Sequence, residues 1–239
     1  MARQLRAERT RATIVRAAAD LFDRHGYEST SLSEIVAHAG VTKGALYFHF
    51  AAKEDLAHAI MEMQSRTFRR LANDLDGRGY SSLEALMRLT FGMARVYEEG
   101  PVLRAGTRLA TAGVPVRPPL PHPFTDWREI ATSRLLDAVR QSDVHQDIDV
   151  DSVAHTLVSS VVGTCVVGGT LEPAGRQPRR LAEMWYILIR GMVPVTRRAR
   201  YVTLAARLEQ ETGTTVLRSS TAGPRRSRSA ERQCRRSHR

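Results

Sequence analysis

Apolar residues recur along this chain at three- and four-residue steps, a spacing that predicts an all-α fold. From Thr13 to Arg24, the residues Ile14, Ala17, Ala18, Leu21 and Phe22 share one helical face, and Gly26 follows as a stop. Ser31 and Glu34 fit a capping box that opens a short helix carrying Leu32, Ile35, Val36 and Ala39. Gly40 suits a sharp turn, Val41 a hydrophobic staple and Thr42 an N-cap. In the helix that follows, Ala45, Leu46 and Phe50 face inward, and Lys43, Gly44, Tyr47 and His49 project outward. A longer helix starts at Lys53-Glu54-Asp55-Leu56 and runs towards Leu75. Taken alone, Lys43 to His49 reads equally as an amphipathic surface helix. Three short helices with a tight turn between the last two follow the helix-turn-helix plan.

Beyond Leu56 the pattern describes a helical body. Ser82 to Tyr97 presents Leu83, Leu86, Met87, Leu89 and Met93 on one face, Gly100-Pro101 breaks it, and Val102 to Ala112 is the next candidate. The five prolines between Gly113 and Pro123 exclude helix and predict a stiff crossover. Thr125 caps a helix with Trp127, Ile130, Ala131, Leu135 and Ala138 at helical spacing, where Trp127 reads as a core anchor. Asp151 to about Gly168 is apolar nearly all round, and the helix opened by Pro178 carries Leu181, Met184, Trp185, Leu188, Ile189 and Met192. Helices this apolar are buried on more than one side, in a hairpin or against a second copy. Arg197 to Glu211 is a last amphipathic helix, and from Gly213 the Thr, Ser and Arg composition predicts disorder.

The segments Gly26 to Leu32, Ile35 to Val41 and Thr42 to Phe50, followed by Lys53-Glu54-Asp55-Leu56, together resemble the TetR family of bacterial repressors. Further on, the proline-rich loop and Trp127 resemble the γ-butyrolactone autoregulator receptors of Streptomyces, and the likeness extends to about Thr212. The resemblance implies a helix-turn-helix DNA-binding domain at 1–52, a ligand-binding and dimerisation domain at 53–212, and a basic tail at 213–239 outside the family pattern. It also implies that Trp127 lines an effector pocket. A four-helix dimer interface would draw on Val158, Val162, Met184, Trp185, Leu188 and Ile189.

Joined to the residue chemistry, this gives a homodimeric repressor on a pseudo-palindromic double-stranded DNA operator, released by a small effector such as a γ-butyrolactone. Lys43 would reach a base edge or phosphate. Thr42, Tyr47, His49 and Lys53 would position the head, and Gly44 and Ala45 would allow close approach. Arg3, Arg6 and Arg9 would form a basic N-terminal arm. Two alternatives stand beside this: an orphan receptor answering to antibiotics or to no ligand, and a non-specific basic DNA binder.

Charge bears on the second alternative. The net charge is +11, but residues 214–239 hold eight basic groups against one acidic, while 54–213 are nearly balanced at 20 against 19. High basicity therefore says little about the head. Only Lys43 and Lys53 are lysines, and both flank the recognition helix. Cys165 lies in an apolar run and Cys234 in the tail, with no zinc-like spacing. Enzyme signatures such as a P-loop, GxSxG or HExxH are missing, and no cofactor is expected. The N-terminus has no signal-peptide core, and Val153 to Val167 reads as too short for a membrane span, so a cytoplasmic protein is expected.

Overall fold

The computed structural model describes residues 1–114, 123–171 and 175–221, with the backbone alone at 2–3, 123, 169–171 and 214–221. Described residues form only helices and their connections, in the order α1 (Ala2–His25), α2 (Leu32–Ala39), α3 (Lys43–His49), α4 (Lys53–Asn73), α5 (Ser82–Glu99), α6 (Pro101–Thr111), α7 (Pro123–Arg140), α8 (Val150–Leu171), α9 (Gln177–Met192) and α10 (Val195–Thr221). Helices α1–α3 make a three-helix head, α4 leads out of it, and α5–α10 build the body. The fold is all-α, a helix-turn-helix head on a helical bundle.

Local chemistry sets the breaks. Gly26 ends α1 at φ 84°. Helix α4 starts where the Asp55 carboxylate accepts from the amides of Ala51 at 2.8 Å and Ala52 at 3.0 Å. Pro101 occupies the first turn of α6, where a missing N–H costs nothing.

Two boundaries differ from expectation. Helix α1 begins at Ala2 and not near Thr13, so residues 3–9 are its first turns and not an extended arm. Helix α10 runs through Gly213 to Thr221, beyond the expected end of order. In both cases an established helix extends through residues with no apolar face, because propagation costs far less than nucleation. Residues 222–239 of the tail and 115–122 of the proline-rich crossover lie outside the described residues.

The head core is not confined to the head. Ile14, Ala18 and Phe22 of α1, Ile35, Leu46 and Phe50 pack with Leu56 and Ile60 of α4 and continue into Ala105 and Leu109 of α6. The body core joins Leu83, Met87 and Phe91 of α5 to Leu135, Leu157, Trp185, Ile189 and Tyr201. A smaller cluster around Phe68, Leu89, Met93 and Trp127 fills the space between.

Trp185 anchors the body. It is fully buried, and its Nε1 donates to the Thr90 hydroxyl at 2.9 Å. Trp185→Ala should lower folding stability by ~3–5 kcal/mol, measured as a reduced urea midpoint.

Candidate nucleic-acid interface and effector cavity

The turn into α3 is built from reciprocal caps. The Glu34 carboxylate accepts from the Ser31 amide and hydroxyl, both at 2.7 Å, while Ser31 Oγ accepts from the Glu34 amide at 3.2 Å. The backbone and side-chain bonds from Ser31 hold the Glu34 carboxyl below its usual range. Gly40 then takes the left-handed conformation (φ 64°, ψ 32°). Thr42 Oγ1 accepts from the Ala45 amide at 3.1 Å and starts α3, while the Phe50 amide closes it on the Leu46 carbonyl at 2.9 Å. A seven-residue helix is thus pinned at both ends.

Leu46 and Phe50 turn into the head core, and Ala45 is half-buried. On the outer side Thr42, Lys43, Gly44, Tyr47 and Phe48 are exposed and His49 is half-buried. The Lys43 ammonium lies 5.9 Å from the Tyr47 ring centre, and the Phe48 and His49 rings meet edge to face at 5.0 Å. A Cβ added to Gly44 would meet nothing within 4 Å. No internal contact requires glycine there, so any constraint on that position comes from outside the chain.

Phe48, which the apolar pattern does not mark as outward, is 78% exposed. It stands four residues after Gly44 and so shares that outward face, and this spacing is the signal in the sequence. An aromatic ring there can contact a thymine methyl or a sugar. Arg6 and Arg9 are exposed along α1, and Arg3 lies in its first turn.

Lys53 departs from its expected role. Its Nζ donates to the carbonyls of Tyr27 at 3.0 Å, Thr30 at 3.3 Å and Glu28 at 3.4 Å, and stands 4.3 Å from the Tyr27 ring centre. All three ammonium donors are engaged in holding the α1–α2 turn against α4. In the protomer Lys53 is a structural clamp.

Trp127 sits in the small middle cluster, 6% exposed, stacked on Phe68 at 5.0 Å and edge-on to Phe124 at 5.4 Å. Its indole Nε1 is buried without a hydrogen-bond partner. An orphaned donor of this kind costs ~1–3 kcal/mol. Beside it lies a cavity of about 30 Å³ bounded by Phe68, Met93, Val158 and Val161.

The closing helices separate into two groups. Val158, Val162, Met184 and Leu188 are half-buried, whereas Trp185 and Ile189 are fully enclosed by the protomer's own core. Those two side chains cannot meet a second copy. Ile187, 73% exposed, and Val167, 51% exposed, take the outward positions instead. Helical periodicity identified the apolar residues of α9 but not which stripe faced inward. Against expectation, Val150–Gly168 is long and apolar enough to cross a membrane by length and mean hydropathy of 1.5. Yet Ala154, Leu157, Val161 and Cys165 pack into the bundle.

Comparison with known proteins gives this geometry a context. Residues 14–60 match the family described as bacterial regulatory proteins, tetR family, and residues 80–194 match the tetracyclin repressor-like C-terminal domain. A crystal structure of a γ-butyrolactone receptor (ArpA-like protein) is 85% identical, with TM-score 0.77, over 86% of this chain and 99% of that one. The chain belongs to the TetR family, in its γ-butyrolactone receptor (ArpA-like) subfamily. A structure of the TetR family protein CprB from Streptomyces coelicolor, in complex with its biological operator sequence, is 88% identical, with TM-score 0.79. That match covers 86% of this chain and 98% of the other. The A-factor receptor protein of Streptomyces griseus is 40% identical over 77% of this chain, and the match spans 64% of the relative's length. The TetR assignment accounts for a short helix with an outward Lys43, Tyr47 and Phe48 on a capped turn.

Lys53→Met should lower the melting temperature by removing the carbonyl clamp, a loss of ~1–3 kcal/mol, whereas Lys43→Ala should leave it unchanged. Thermal unfolding followed by circular dichroism distinguishes the two lysines.

Proposed function

We propose that the chain is a sequence-specific transcriptional repressor that acts as a homodimer on a pseudo-palindromic operator and is released by a small effector such as a γ-butyrolactone. The observation that carries this reading is the outer face of α3, where Lys43, Gly44, Tyr47 and Phe48 are exposed on a helix capped at both ends. Lys43 supplies a compact cation for a guanine edge or phosphate, Tyr47 and His49 hydrogen-bond the backbone, and Gly44 and Ala45 admit it closely. Arg6 and Arg9, on the exposed start of α1, add phosphate contacts. The operator complex of the 88% identical CprB supports a DNA partner.

Pairing follows from α8 and α9. Ile187 and Val167 are large apolar side chains exposed in the protomer, and Met184, Leu188, Val158 and Val162 flank them half-buried. A symmetric four-helix contact would cover this surface and set the spacing of two heads for successive major grooves. Closing a second copy over α8 also accounts for its hydropathy in a cytoplasmic protein.

The effector reading rests on Trp127. Its unpartnered Nε1 faces no protein acceptor, so a ligand carbonyl placed there would recover a lost hydrogen bond, and the indole offers a flat apolar wall. The cavity of about 30 Å³ holds little more than a water or two. Effector entry must therefore open the Phe68–Trp127 stack, and Phe68 lies on α4, the helix that leads to the head. Moving an operator equilibrium from almost fully bound to almost fully released takes ~5.5 kcal/mol of differential affinity.

Lys43→Ala should weaken operator binding by ~1–3 kcal/mol with a shallower salt dependence, read by fluorescence anisotropy on selected genomic fragments. Trp127→Phe keeps the stack but removes the donor. It should bind operator normally and need a higher effector concentration for release, and release at an unchanged concentration would reject the pocket.

A further inference from the structure

The joint between head and body forms a second cavity, independent of the effector reading above. It shares no lining residue with the one beside Trp127, although its wall residue Tyr97 packs against the Trp127 cluster. Its volume is about 390 Å³, against about 30 Å³ beside Trp127. Pockets of this size hold small-molecule ligands. Both halves of the protein build it. Phe22 and Tyr27 come from the end of α1 and the turn after it, Tyr97 from the end of α5, Arg108 and Leu109 from α6, and Val166 from α8.

Phe22 and Leu109 are buried and make an apolar floor. Burial pushes both phenols up to about 12, helped at Tyr27 by Glu54 and Glu28 and at Tyr97 by Cys165 and Asp23. Each therefore keeps its hydroxyl proton across the physiological range. Tyr27 donates it in a hydrogen bond to Glu54 and serves the cavity as an aromatic wall, which leaves Tyr97 as the phenol that can donate to an occupant.

Arg108 supplies the charge. Its side chain is 63% exposed, and its Nε lies 3.4 Å from one oxygen of Asp23. Arg104 already holds the other oxygen of the same carboxylate at 2.6 Å. Asp23 thus stays paired if Arg108 turns away, and no half-buried carboxylate is stranded. Glu84 and Glu183 also carry two arginines each, but at Asp23 the second one, Arg108, lines the cavity and is a cation in reserve at its mouth.

We propose that this cavity is a second small-molecule site, for an amphipathic monocarboxylate whose ring or short chain lies between Tyr27 and Tyr97 and whose carboxylate pairs with Arg108. Because its walls belong to the head and to the body, an occupant bridges the two and links its own binding to the angle of the head.

The probe is 4-phenylbutyrate, titrated into the full chain by saturation-transfer NMR and calorimetry, with the uncharged 4-phenylbutanamide as control. Saturable binding is expected, about tenfold weaker for the amide and for Arg108→Gln, the loss of one charge-assisted pair. Ala112→Trp, which puts an indole at the exposed rim of the cavity, should block it, and Trp127→Phe should leave it unchanged. Circular dichroism confirms that each variant is folded. No saturable binding overturns the proposal, as does equal binding of the amide, binding that survives Ala112→Trp, or binding lost in Trp127→Phe and kept in Arg108→Gln. The last result would move the probe to the Trp127 cavity, so failure here and failure of the effector reading are told apart.

Discussion

Helix α6 crosses α4 at Gly106, where a Cβ would collide with the side-chain amide of Gln64. Gln64 is fully buried and its Nε2 donates to the Thr107 hydroxyl at 3.1 Å, so the crossing is fixed by shape and by a hydrogen bond shielded from water. Two residues before Gly106, Arg104 reaches from α6 to Asp23 on α1 at 2.6 Å and donates to the Tyr97 and Glu98 carbonyls that end α5, both at 2.9 Å. Ala105 and Leu109 of the same helix complete the head core. The head is therefore not suspended from α4 alone. It is seated on α6, and any rearrangement of the body that shifts α6 or α4 must shift the recognition helix with it.

That arrangement gives a physical route from the middle of the body to the DNA-facing surface. Phe68 stacks on Trp127 and lies on α4, one turn beyond Gln64. Opening the stack strains the helix that Gln64 and Gly106 hold in register with α6. Protein interiors are packed too closely to absorb such a shift locally, so it passes to the next rigid element. At the far end, α3 is only seven residues long and pinned by caps, and it moves as a unit with the head.

Much of the head was legible from residue order because its determinants are local. The Ser31–Glu34 box, the left-handed Gly40 and the Thr42 cap act within four residues of themselves, and each stands where the spacing predicted. The two lysines show the limit of such reading. Lys43 and Lys53 share a side chain and flank the same helix, yet one points to solvent and the other is consumed by the carbonyls of residues 27, 28 and 30. Only the packing of α4 against the α1–α2 turn brings those carbonyls within reach. Trp185 and Ile189 make the same point in the body: their helical spacing identified an apolar face, but not whether the protomer or its partner would cover it.

Periodicity, capping residues and glycine placement thus determined by themselves the all-α class, the helix-turn-helix head and the outward Lys43, Gly44 and Tyr47, though not Phe48, since those signals act over one or two helical turns. Tertiary structure decided which cation is free, which apolar stripe of α9 is already buried, and that Trp127 ends with an unpartnered donor beside a nearly closed cavity. It alone placed Asp23, Arg104 and Arg108 together across some eighty residues of chain. Contacts between such distant residues depend on how helices cross, and crossing is set by the joint fit of many side chains that no single window of sequence contains.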